Sequence, residues 1–231
     1  MSNSSFARNP TRARQPVRLA TTLLAGLGLS VILLAGAHPA MAATDAQFQP
    51  AFELFVQARK GDSNALEKGV DVFAALLKAE PANPVLMAYS GAMTSMLAST
   101  TSLPWKKMTY AEDGMAQLDK ALALLGPAHD LPLQHGTPAA LEVRFIAANT
   151  FLAVPAFMNR AARGNKLLAD VIASPLLDKA PLQFQGDVLM RAAQVAMAEK
   201  RSDDARKFLA QVIARNAPQA DAARAQLAVL S

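Results

Sequence analysis

The chain has 231 residues and no cysteine, and it carries one tryptophan, two tyrosines and three histidines. Without cysteine there is no disulfide framework and no lipid-modified anchor, so stability has to come from apolar packing. Two histidines, His129 and His135, follow residue 42. Any Ser-His-Asp mechanism would have to use one of them. No Gly-x-Ser-x-Gly elbow, phosphate-binding glycine loop or dinucleotide fingerprint accompanies them. As a metal site they sit six residues apart, with Asp130 beside one but no third ligand evident. These absences predict a protein that is not an enzyme, with no catalytic residue, metal or cofactor. The lone Trp105, flanked by Pro104, Lys106 and Lys107, reads as a side chain that pins its loop onto the core, since tryptophan is usually mostly buried. Strand formers are scarce. Apolar residues make up 52% of the chain, many of them Ala and Leu, and this favours helices.

The first 42 residues follow a different logic. Arg8, Arg12, Arg14 and Arg18 give a basic start without an acidic residue, and Leu23 to Ala35 is an apolar core too short and glycine-rich for a comfortable membrane span. Pro39 and the small-x-small triplet Ala40-Met41-Ala42 then suit a signal peptidase, with cleavage before Ala43. The expectation is a Sec-type signal peptide over 1–42, a bacterial periplasmic or secreted address, and no membrane span after cleavage. Four of the 23 basic residues lie in this leader and none of the 18 acidic ones does. The remainder therefore carries 19 basic residues against 18 acidic and a net charge of +1. That balance argues against a nucleic-acid partner. Residues 43–231 are enough for one domain that buries roughly 70% of its unfolded surface.

Helical periodicity runs through that domain. Phe48, Phe52, Phe55 and Val56 mark one face of a helix over Asp45 to Arg59, and Leu66 to Ala79 follows as its partner. In Glu80-Pro81-Ala82-Asn83-Pro84, Asn83 suits an N-cap and Pro84 a first helical turn. The next helix runs from Pro84 to about Ala98. A Thr109-x-x-Glu112 capping box predicts the start of another, with an apolar stripe at Ala111, Met115, Leu118, Leu122 and Leu125. A loop near 126–138 is expected as an insertion. Ala139 to Ala153 is apolar nearly all round, broken by Glu142 and Asn149, and Pro155 is expected to begin the following helix. A helix-turn-helix pair then spans Leu182 to Pro218, turning at Lys200-Arg201-Ser202-Asp203, and Asp221 to Leu230 closes the chain.

In that last pair Leu189, Ala192, Ala193, Ala196, Ala205 and Leu209 match six main packing positions of the tetratricopeptide repeat, which the pair resembles. The Pro81–Pro84 link resembles the link between such units, with Gly69 and Phe73 before it and Met87 and Gly91 after it at the family's small and large positions. The small residues Gly69, Ala116, Gly164 and Ala205 recur at wider intervals than a strict array would give, so regularity is expected to fail in the middle. The resemblance implies an all-α fold of α-α hairpins stacked as a short right-handed solenoid, with the first helix of each pair lining a concave surface that grips a protein or peptide partner.

On that basis Gln183, Asp187, Arg191 and Gln194, at steps of 4, 4 and 3, form a partner-binding line, in which Asp187 and Arg191 can pair with each other. Glu142, Asn149, Asn159, Arg160 and Arg163 are further candidates for partner contact. Exported solenoids of the cell wall-cleaving kind carry a separate lysozyme-like domain, and no residues remain here for one. The leading expectation is a non-catalytic interaction module in the cell envelope. The alternatives are a carrier of a small apolar or lipid-like ligand, suggested by Met87, Met93, Met96, Phe145, Phe151, Phe157 and Met158, and a tethered accessory subunit of an envelope transporter.

Overall fold

A computed structural model describes residues 45–133 and 135–230. The expected leader over 1–42 lies outside the described residues. These are all-helical, with nine α-helices: α1 (Asp45–Arg59), α2 (Ser63–Ala79), α3 (Pro84–Met96), α4 (Pro104–Ala123), α5 (Ala139–Phe151), α6 (Ala161–Ala173), α7 (Leu182–Ala198), α8 (Ser202–Ala214) and α9 (Ala220–Val229). Consecutive helices pack as hairpins α1/α2, α3/α4, α5/α6 and α7/α8, and α9 closes against α8. No helix among the described residues is long and apolar enough to cross a membrane.

Local chemistry fixes the hairpin ends. The Asn83 side-chain oxygen accepts from the amides of Val85 and Leu86 at 3.0 and 3.2 Å, which satisfies two donors that open α3. Asp62 caps α2 in the same way through the Ala65 amide at 3.0 Å. Lys200 turns α7 into α8 at φ 60, a left-handed conformation that ends a helix. All six residues matched to the repeat in that hairpin are buried, as are Phe73 and Met87. The core runs in three successive clusters, one spanning α1–α5, the next α5–α7 and the last α7–α9.

Four local expectations are overturned. Helix α4 starts at Pro104 with Leu103 before it, and Thr109 donates its hydroxyl to the Trp105 carbonyl at 3.0 Å instead of capping a new helix. Pro155 opens only a short 3-10 turn, Ala156–Met158, and α6 begins at Ala161. Trp105 does not pin its loop. It stands 65% exposed on the first turn of α4. The close approach on α4 is made by the buried Gly114, whereas Ala116 is exposed. Gly114 faces Gly91 of α3, where a Cβ would lie 2.7 Å from the Gly114 carbonyl oxygen.

Candidate functional site

The first helix of each hairpin turns one side toward a common cleft of about 1230 Å³. Its walls come from α1, α3, α5 and α7, joined by the start of α4 and by the loops around His135 and Pro155. The Phe and Met residues noted in the middle of the chain divide between two jobs. Met96, Phe145, Phe157 and Met158 line the cleft, whereas Met87, Met93 and Phe151 are packed in the core. Phe48, Phe52 and Phe55 of α1 add an aromatic wall that periodicity alone assigned to packing. Phe145 meets Phe184 of α7 edge to face, with ring centroids 5.4 Å apart.

One polar cluster is set into this apolar lining. Tyr89 of α3 is enclosed by the rings of Phe48, Phe52, Phe55 and Phe73, with centroids 4.8 to 5.9 Å from its own. Its hydroxyl donates to Glu142 Oε1 of α5 at 2.6 Å. Glu142, only 5% exposed, also meets His135 Nε2 at 2.8 Å through its other carboxylate oxygen. The loop over 126–138 makes this possible by folding back. The Leu133 amide donates to the Thr137 carbonyl at 3.0 Å, and the His135 ring stacks on Phe48 at 5.7 Å. The other loop histidine, His129, is engaged locally, its Nδ1 lying 3.0 Å from the Gly126 amide. Among the described residues no three His, Cys, Asp or Glu side chains group as metal ligands.

Burial, then the charge of Glu142 and the hydrogen bond to it, hold the Tyr89 phenol well above its ordinary value, and Arg59 opposes the shift. The folded protein therefore keeps this proton at pH values where the unfolded chain, with an ordinary phenol near 10, has lost it. The stability contributed by the protonated phenol is complete below about pH 10 and falls as pH rises above it. In Tyr110→Phe, Tyr89 is the only phenol left. Its phenolate absorbance is expected to appear together with the loss of helical circular dichroism in an alkaline titration. A phenolate that forms while the helices are intact would mean that water already reaches Tyr89.

The sequence-derived candidates separate cleanly. Gln183, Asp187 and Arg191 of α7 and Glu142 and Asn149 of α5 all line the cleft. Gln194, one turn further along α7, does not. Asn159 is exposed at φ 54, ending the 3-10 turn. Arg160 and Arg163 are outside the cleft. They pair with Asp119 at 3.1 and 2.6 Å and lie over the Phe151 ring at 5.3 and 5.4 Å, tying α6 to α4 and α5. Asp187 and Arg191 are not joined. Asp187 accepts from Gln183 at 3.2 Å and from Gln219 at 2.7 Å. Burial, then the like charge of Arg59, pulls the Arg191 guanidinium below its ordinary value. Spacing on α1 and α3 singled out neither Arg59 nor Tyr89, because their relation to α5 and α7 exists only in three dimensions.

Fold and site together define an all-α protein of stacked hairpins whose first helices enclose an aromatic, methionine-rich cleft. Comparison of the chain with family models, with curated proteins and with solved structures finds no match.

Proposed function

We propose that the protein is an exported, non-catalytic binding protein of tetratricopeptide-like build that carries an apolar, lipid-sized ligand in its concave cleft. The observation that carries this reading is the lining. Phe48, Phe52, Phe55, Phe145 and Phe184, together with Met96, Met108 and Met158, line a space above the roughly 300–1,000 Å³ of ordinary small-molecule sites. Flexible thioethers beside rigid rings adapt to a long apolar body, and the Tyr89–Glu142–His135 cluster supplies a few fixed polar groups for orientation. The basic start, apolar stretch and Ala40-Met41-Ala42 of the leader support a bacterial periplasmic or secreted address.

A protein partner is the second reading. It draws on Trp105 at 65% and Phe157 at 66% exposure, a tryptophan being a common anchor at protein interfaces.

Titration of the purified protein with an environment-sensitive apolar dye tests the carrier. One dye per chain is expected to bind. Ala153→Trp, at an exposed position of the lining, should fill the cleft and weaken binding on the order of tenfold, about 1.4 kcal/mol, with the melting temperature unchanged. Dye affinity that Ala153→Trp leaves untouched would remove the cleft as the binding site.

A further inference from the structure

Two cations of the cleft have no acidic partner among the described residues. Arg59, in the last turn of α1, holds its guanidinium 5.8 Å from the centroid of the Phe55 ring. Arg191 projects from α7 and is half-buried, and its Nε is buried without a hydrogen-bond partner. They are close enough for the charge of Arg59 to act on Arg191. Both carboxylates of the lining are already engaged, Asp187 by Gln183 and Gln219, and Glu142 by Tyr89 and His135. Lys107, the remaining cation of the lining, is exposed and adds to the positive potential.

Partial burial of a guanidinium near a like charge is unfavourable unless something compensates it. Each guanidinium presents a planar fork of donors that matches an oxyanion, and such charge-assisted bonds are the strong ones. An apolar wall beside two unpaired forks fits a molecule with an apolar body and an anionic end.

We infer that Arg59 and Arg191 together form the head-group site of the cleft, and that its ligand is a single-chain amphiphile with an oxyanion head, its apolar chain lying along Phe48, Phe52, Phe55 and Phe145. This rests on the carrier reading and adds charge selectivity to it. The oxyanion is a carboxylate or a phosphate monoester, since either accepts from both forks.

The test displaces the apolar dye with dodecanoate, dodecyl phosphate and dodecanol, the two acids below their micelle concentrations and the alcohol below its solubility limit. In the natural protein at least one of the two acids is expected to bind about tenfold or more tighter than the alcohol, in line with the strength of hydrogen bonds to charged groups. Which acid gains more identifies the head group. In Arg59→Gln/Arg191→Gln this preference is expected to fall to within about threefold, with dodecanol affinity unchanged. Arg59→Gln alone, at an exposed position, keeps the experiment decisive if the double variant folds poorly, and it should lose part of the preference. Equal binding of acids and alcohol by the natural protein, or a preference that survives both arginine replacements, would overturn the head-group site and leave the carrier standing. Failure of all three compounds to displace the dye would overturn the carrier reading, and this inference with it.

Discussion

Gly114→Val is expected to lower the stability of the protein by about 3 kcal/mol, the upper end of ordinary overpacking effects. The reason is the crossing of α3 and α4. A Cβ on Gly114 would run into the Ser95 hydroxyl and the Gly91 carbonyl oxygen and would stand 2.6 Å from the Ser95 amide nitrogen. Two of these three atoms are backbone, so no rotamer change relieves the clash and the helices have to move apart. A loss of that size is a large part of the 5–15 kcal/mol typical of a whole domain. Gly91→Leu meets the same crossing from the other side, where the Gly114 carbonyl oxygen and Leu118 block a branched side chain. Gly126→Ala is the control, because nothing lies within 4 Å of its added Cβ. Urea unfolding should show a markedly lower midpoint for the two crossing variants and almost none for Gly126→Ala. The start of α4 also lines the cleft through Met108 and Ala111, so partial separation of the helices should weaken apolar dye binding in whatever Gly114→Val protein remains folded. Natural stability in both crossing variants would mean that α3 and α4 do not meet at glycines.

Features set by a few neighbouring residues were legible in the sequence. The Asn83–Pro84 start of α3 depends only on a side-chain acceptor two and three residues from its donors, and the packed face of α7 and α8 follows from helical period alone. Competing local signals were harder to rank. Pro104 begins α4 five residues before Thr109, since a proline at the first turn loses no needed donor, and the capping box is then swallowed into the helix. Counting small residues placed the α4 contact at Ala116, but two residues along a helix is more than half a turn, and Gly114 is the one that faces α3. Tryptophan's usual burial misjudged Trp105, because burial depends on a neighbouring surface that the first turn of α4 lacks. Of the site, one face was legible: spacing on α7 put Gln183, Asp187 and Arg191 together, and all three line the cleft. Glu142 and Asn149 of α5 were legible as single residues and also line the cleft, but the relations between helices were not. Tyr89 and Glu142 are 53 residues apart, and the charge of Arg59 acts on Arg191 from another hairpin, so no local spacing encodes either relation.

The Tyr89–Glu142 pair can be asked whether it is kept for stability or for the ligand. Glu142→Leu removes the acceptor of a hydroxyl enclosed by four phenylalanine rings, and an unsatisfied buried donor of that kind costs about 1–3 kcal/mol. Tyr89→Phe does the reverse and strips a nearly buried carboxylate of a 2.6 Å hydrogen bond, with a loss of about 1.5–3 kcal/mol. Combined, Tyr89→Phe/Glu142→Leu leaves neither group unsatisfied and extends the apolar wall, and replacing both partners of a buried polar pair by apolar groups is often close to neutral. His135 loses its carboxylate in that variant, but its side chain is 34% exposed and water can take the place of Glu142. The expected result in chemical unfolding is therefore two destabilised single variants and a double variant within about 1 kcal/mol of the natural protein, a coupling of the size seen between residues in direct contact. Additive losses would show that the pair contributes to stability through the surrounding helices and not through its own hydrogen bond. Restored stability would instead remove stability as the reason for a tyrosine and a glutamate on the wall of an apolar cleft. Affinity of the double variant for the apolar dye, compared with its affinity for dodecanoate, would then show whether the pair orients the bound molecule.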